Sequence, residues 1–288
     1  MINTPVFAAG HRLCLGAVAL ALSFGVAAAD ARAADRYPDF GGAWARTTRG
    51  GMTAQWDTTK PPGLGQEALL TPEYQAVFEA NLASRRAGGQ EFNPAINCMP
   101  AGMPRVMVLY DPIEIIITPE VTYIRTDHLP EMRRIYTDGR DWPRSIPATF
   151  AGYSIGRWMG EDAEGRYQTL EIESRGMRGP RVLDVDGLPL HRDNLTVVKE
   201  HLVLDKDNSN LLHNEITVID HAFTRPWTTA RVYRREPRPM WVENNCMVDN
   251  HYVSIGPETY FLSADGYLMP AKKDQAPPDL RYFDQARR

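Results

Sequence analysis

The chain has 288 residues, with 32 Lys and Arg against 36 Asp and Glu, a formal charge of −4, and 43% hydrophobic residues. These are ordinary globular values, and they exclude a disordered chain, a collagen-like fibre and a multispan membrane protein. The slightly acidic balance leaves no basic face for general nucleic-acid binding.

Residues 1–29 read as a secretory signal. His11 and Arg12 precede a charge-free apolar run from Leu13 to Val26, and Ala27-Ala28-Ala29 supplies small residues for cleavage. Ala31-Arg32-Ala33 is a second small-x-small site. The run is short for a membrane span, and no other stretch is apolar enough for one, so the mature chain is expected to carry none. The expected compartment is the bacterial periplasm, which is oxidising. Of the cysteines, Cys14 lies in the signal, leaving Cys98 and Cys246. Two cysteines in an oxidising compartment favour one disulfide; two buried free thiols are the alternative. The absence of a CxxC pattern argues against a zinc–cysteine site.

Residues 30–70, rich in Gly, Pro and Thr, read as an extended arm with one short strand around Gly42–Arg46. A helix is expected over 71–87. Thr71 is placed to cap it, Pro72 suits its first position, and Glu73 complements the dipole. Tyr74, Phe78 and Leu82 form one apolar stripe, and Gly88-Gly89 ends the helix. From there the pattern alternates. Strands are expected at Val106–Leu109, Ile113–Thr118, Val121–Thr126, Met132–Thr137, Ser154–Met159, Tyr167–Ser174, Leu195–Leu204, Leu211–Ile219 and Thr228–Arg234. Many short strands, one helix and no βαβ alternation predict a mainly β fold. An antiparallel β-barrel, of lipocalin-like form or otherwise, and a β-sandwich both fit. The domain is expected to span 71–270, with 271–288 as a polar surface tail. No oligomeric state is assigned.

Four segments carry a resemblance. They are Cys98-Met-Pro-Ala-Gly-Met-Pro-Arg105, Arg133-Arg-Ile-Tyr-Thr-Asp-Gly-Arg140, Gly152-Tyr-Ser-Ile-Gly-Arg-Trp158 and Thr224-Arg-Pro-Trp227. In this order they resemble a broad set of secreted bacterial proteins from proteobacteria and acidobacteria for which no reaction is established. The resemblance covers roughly residues 66–250 and implies a periplasmic, barrel-like β domain. Two departures stand out. The Thr-Leu pair that follows the Arg-Trp motif is delayed to Thr169-Leu170, and Lys199 stands where the set tends to carry Glu.

Candidate chemistry concentrates in the hairpin 195–219, whose turn is Asp205-Lys-Asp-Asn-Ser-Asn210. Pairing Lys199 with Glu215 sets His201 opposite His213, on one polar face with Thr217. A one-residue slip separates these groups onto opposite faces. With His191 upstream, the proton carriers would be His191, His201, His213 and Glu215 if the face points inward. If it points outward, it is a solvated surface. The two histidines with Glu215 also have metal-binding chemistry, but no HxH or HExxH spacing supports it, so no metal and no cofactor is assigned.

Arg134, Tyr136 and Asp138 share a strand face suited to orienting a carboxylate or carbonyl. Trp158 and Lys199 complete the expected ligand-binding set. Gly152-Tyr-Ser154-Ile-Gly156 has the letters of a nucleophile elbow, but no helix is predicted after it. The leading expectation is a periplasmic barrel that binds a small, largely apolar molecule in its interior. The alternative is an enzyme on the same scaffold doing acid–base chemistry as an isomerase, lyase or hydrolase.

Overall fold

Period-two alternation of apolar residues builds nine strands that close on themselves. The computed structural model describes residues 36–47, 68–90, 92–108, 111–126, 131–179, 182–184, 186–241, 246, 251–256 and 258–279. The expected signal, 1–29, lies outside the described residues. In chain order the barrel strands are β1 (Gly42–Arg46), β2 (Ile113–Ile117), β3 (Val121–Thr126), β4 (Glu131–Tyr136) and β5 (Tyr153–Met159). They continue with β6 (Thr169–Arg175), β7 (Val197–Leu204), β8 (Leu211–Ile219) and β9 (Trp227–Arg235). β1 pairs with both β2 and β9, which removes both sheet edges. Of the two architectures expected, the barrel is the one formed.

The barrel is mixed. β4 and β5 run parallel and share only two residue pairs, Ile135↔Ser154 and Tyr136↔Ile155; every other neighbouring pair is antiparallel. A parallel pair needs a long crossover, and residues 137–152 supply it. This one connection departs from the all-antiparallel expectation.

Helix α1 (Pro72–Arg86) buries Tyr74 and Phe78, as the stripe predicts. Thr71 occupies the N-cap position but makes no side-chain cap; its backbone N–H donates to Ala222 O at 2.8 Å instead. A second difference concerns Val106–Leu109. Arg105–Val108 is a 3-10 turn, fully buried, although its β-branched residues suggest a strand. The backbone amides of Val106 and Met107 donate locally, to Gly102 O and Pro104 O, instead of to a neighbouring strand. The turn lies against the barrel interior. Tyr233 on β9 donates its hydroxyl to Met107 O at 2.6 Å, and Arg46 on β1 donates to Val108 O. Residues 101–108 therefore plug the barrel.

A small sheet of β10 (Tyr252–Ile255), β11 (Glu258–Leu262) and β12 (Leu268–Pro270), not predicted from sequence, packs beside the 3-10 turn Pro94–Asn97. Ser254 Oγ donates to Asn97 Oδ1 at 2.9 Å there. The core is continuous from Phe40 and Trp44 through Ile115, Ile135, Leu170 and Leu202 to Leu212 and Val218. The described part of the tail, 271–279, is mostly exposed.

Cys98 and Cys246 form the expected disulfide, with Cα atoms 5.5 Å apart across 148 residues. It ties the start of the plug to the segment leading into the small sheet. In the chain-entropy model a loop of this length constrains the unfolded chain by about 5 kcal/mol. Cys98→Ser is expected to lower unfolding free energy by up to that amount in oxidising buffer. Adding reductant to the variant should change nothing more, as read by denaturant titration.

Candidate functional site

The alternation that closes the barrel also decides which polar groups enter it. On β4, Arg133 lies between the inward Glu131 and Ile135, and its side chain is 1% exposed. On β7, Glu200 lies between the inward Val198 and Leu202 and is 0% exposed. The two form an ion pair across the interior through Arg133 Nη2 and Glu200 Oε2. Arg133 Nη2 also donates to Ser174 Oγ at 2.9 Å, and Nε reaches Ser154 Oγ at 3.4 Å. The two serine hydroxyls are 2.7 Å apart. Asn214 Nδ2 donates to the remaining Glu200 oxygen at 3.0 Å. Ser154 is thus wholly buried in a strand and bound to this network, which is no nucleophile elbow.

The network runs on towards the plug. Tyr233 lies close enough to Glu200 and Arg231 to feel both charges. Arg105 and Arg231 are 3% and 2% exposed, and both feel the Asp184 carboxylate. Burial pushes both guanidinium groups down to about 10, and the nearby Arg46 charge adds to the effect on Arg231. Arg105 Nη2 donates to Asn93 Oδ1 at 2.9 Å, and Glu131 accepts from the Gly102 N–H at 3.1 Å. Arg105 Nε and Nη1, Arg133 Nη1 and Thr122 Oγ1 are buried with no hydrogen-bond partner among the described residues. Buried donors are almost always satisfied, so these need an explanation.

The residues singled out by sequence mostly lie outside the barrel. The hairpin register is corrected: Lys199 faces Thr217, His201 faces Glu215, and His213 faces Val203. The shift is two residues, so Lys199, His201, His213, Glu215 and Thr217 still share one face. That face is the outer one, because Val198, Glu200 and Leu202 take the interior. Lys199, His201 and Glu215 line a surface groove of ≈ 530 Å³ with Arg157, Glu171 and Glu173. Trp142, carried by the 137–152 crossover, closes one side of it. Its ring stacks under Arg175, whose Cζ is 4.5 Å from the centroid.

His213 lies at the hairpin end of this face and pairs with Asp205 at 2.8 Å. Arg134 and Tyr136 share a face as expected, but it too is external. Arg134 lies over Tyr123 at 5.5 Å, and Asp138 is held by Arg140, which covers the Tyr136 ring at 3.8 Å. Trp158 points inward and packs against Phe40 and Tyr37, with ring centroids 5.6 and 5.1 Å away. His191 stands apart from all of these, beside Asp193 and His221. Among the described residues no helix is long and apolar enough to cross a membrane.

No family model matches the chain, and no curated protein does.

Sequence reasoning passed over the interior group of Arg105, Arg133, Ser174, Glu200, Asn214 and Arg231. One signal was available. A charged residue standing in an apolar file, as Glu200 does between Val198 and Leu202, marks a buried polar group that needs a partner.

Two predictions follow from the interior. Glu200→Ala leaves Arg133 charged and buried, and is expected to cost about 3–5 kcal/mol in urea unfolding. Replacing both partners, Arg133→Met with Glu200→Leu, is expected to cost less than the single change. The second concerns pH. Burial, helped by the Glu200 charge, raises the Tyr233 hydroxyl from 10.0 to about 12. The folded state then holds this proton to higher pH than the unfolded chain does. The stabilising contribution is intact below about pH 10 and is lost as pH rises towards 12. The stability advantage of wild type over Tyr233→Phe should shrink by up to ~3 kcal/mol across that window. An advantage that stays flat in alkaline denaturant titrations contradicts it.

Proposed function

We propose that the protein binds a small, largely apolar molecule carrying an acidic group in the interior of its barrel, beneath the plug, after export to the periplasm. The observation that carries this reading is the set of buried guanidinium donors, Arg105 Nε and Nη1 and Arg133 Nη1, without partners among the described residues. Holding charged arginine out of water is costly unless its donors are met. A carboxylate supplies the lone pairs that guanidinium groups fit best. The surrounding wall of Ile115, Ile124, Ile135, Leu170 and Leu202 suits an apolar body. A signal-like segment at 1–29 and the disulfide support action in an oxidising compartment.

Binding of a medium-chain fatty carboxylate and the alcohol of equal length tests the reading, followed by tryptophan fluorescence on protein taken from the periplasmic fraction. The carboxylate is expected to bind at least ~10-fold tighter, since a hydrogen bond to a charged group contributes about 1.5–3 kcal/mol. Arg105→Gln should erase that preference. Equal affinities, no binding of either, or a full-length chain confined to the cytoplasm each overturns part of the proposal.

A second reading is favoured by the outer groove. His201 and Glu215 are direct cross-strand partners there, with Lys199 beside them. That pairing suits acid–base chemistry on a molecule held against Trp142. Unchanged turnover of a candidate substrate in His201→Ala with Glu215→Gln removes it.

A further inference from the structure

At the end of the barrel near α1, two turns meet over one buried carboxylate. Asp220 is 7% exposed. Its Oδ1 accepts the backbone N–H groups of His191 and Ala222, both at 2.8 Å, and its Oδ2 accepts from Thr196 Oγ at 2.5 Å. Asp220 therefore staples the turn 191–196 to the turn 220–222. Tyr74 of α1 adds a second anchor. Its hydroxyl accepts the Arg192 N–H at 3.1 Å, and its ring lies 5.1 Å from the His191 ring.

The consequence is local convergence of two side chains of one turn with a third 28 residues on from Asp193. Asp193 Oδ1 accepts the Leu195 N–H at 3.0 Å, which turns Oδ2 towards two imidazoles. Oδ2 is 2.9 Å from His191 Nδ1 and 2.5 Å from His221 Nδ1. One ligand atom from each of the three residues lies within 4.8 Å of the others. The Asp193 backbone N–H also lies 3.2 Å from His191 Nδ1, and an ion bound at that nitrogen would take the lone pair in its place. The side-chain partners of Asp193 are these two imidazoles.

We propose that His191 Nδ1, Asp193 Oδ2 and His221 Nδ1 form a binding site for a divalent transition-metal ion of the zinc type. Two imidazoles and one carboxylate select such an ion over calcium or magnesium, which prefer oxygen alone. Zinc–nitrogen and zinc–oxygen bonds of about 2.0–2.2 Å place tetrahedral ligand atoms roughly 3.3 Å apart. The imidazoles reach that spacing by small side-chain rotations, while the stapled backbone stays fixed. The side chain of His221 is 65% exposed, so at least one coordination position opens to solvent. The site owes nothing to the interior arginines and stands whether or not the barrel binds an acidic ligand.

The test uses the full folded chain, freed of metal by chelator and titrated with zinc alone. Wild type is expected to take up one zinc per chain and to melt at higher temperature with zinc present. His221→Ala removes an exposed side chain and should weaken zinc binding by more than about 100-fold, beyond the roughly 10–100-fold typical of losing an outer partner. His251→Ala, an exposed histidine elsewhere, should bind zinc as wild type does. The same variants titrated with cobalt should show the ligand-field absorption of a nitrogen-ligated ion in wild type and not in His221→Ala. No stoichiometric zinc in wild type, or equal binding by His221→Ala, overturns the proposal and leaves the trio as a hydrogen-bonded cluster.

Discussion

The buried pair of Arg133 and Glu200 is the constraint around which the barrel is arranged. Two charges held out of water depend on each other and on further hydrogen bonds to their remaining donors and acceptors. The partners come one from each of three further strands: Ser154 on β5, Ser174 on β6 and Asn214 on β8. The network therefore spans five consecutive strands, β4 to β8. It crosses the parallel seam between β4 and β5, where the backbone ladder has only two residue pairs. The weakest seam of the barrel is the one the buried polar network bridges. Gly156 fits the same logic: a Cβ there would lie 2.7 Å from Ile135 Cγ2, so close approach of the two strands requires glycine.

The plug extends this interior. Its 3-10 turn, held by Tyr233 and Arg46, carries Arg105, which feels the same Asp184 carboxylate as Arg231. Buried guanidinium groups and aliphatic side chains thus share the interior, and the proposed apolar ligand with an acidic end is the reading that uses both. The outer wall offers a different chemistry. Three carboxylates, a lysine and a histidine meet a tryptophan in a shallow groove, all in water's reach.

How much of the site was legible follows from the arithmetic of strands. Period two placed Lys199, His201, His213 and Glu215 on one face, and a register shift of two residues kept them there while changing every partner. His201 met Glu215 instead of His213. The same period was silent on whether that face looked in or out. That was settled by the apolar file of Val198, Leu202, Leu212, Ile216 and Val218, which must be buried. Glu200 and Asn214, standing in that file, were carried inside with it. Arg134 and Tyr136 were carried outside because the alternate residues Glu131, Arg133 and Ile135 took the interior.

From the sequence alone came a mainly β fold, barrel or sandwich, the single helix with its buried stripe, the spans of the nine barrel strands and the pairing of Cys98 with Cys246. All of these rest on local periodicity, helix-end signals or simple count. The tertiary structure alone decided the parallel seam, the plug in place of a strand at 105–108, the inward ion pair and the meeting of His191, Asp193 and His221. Each depends on contacts between residues distant in sequence, where the burial of apolar files and the satisfaction of buried charge override what any short window of residues prefers.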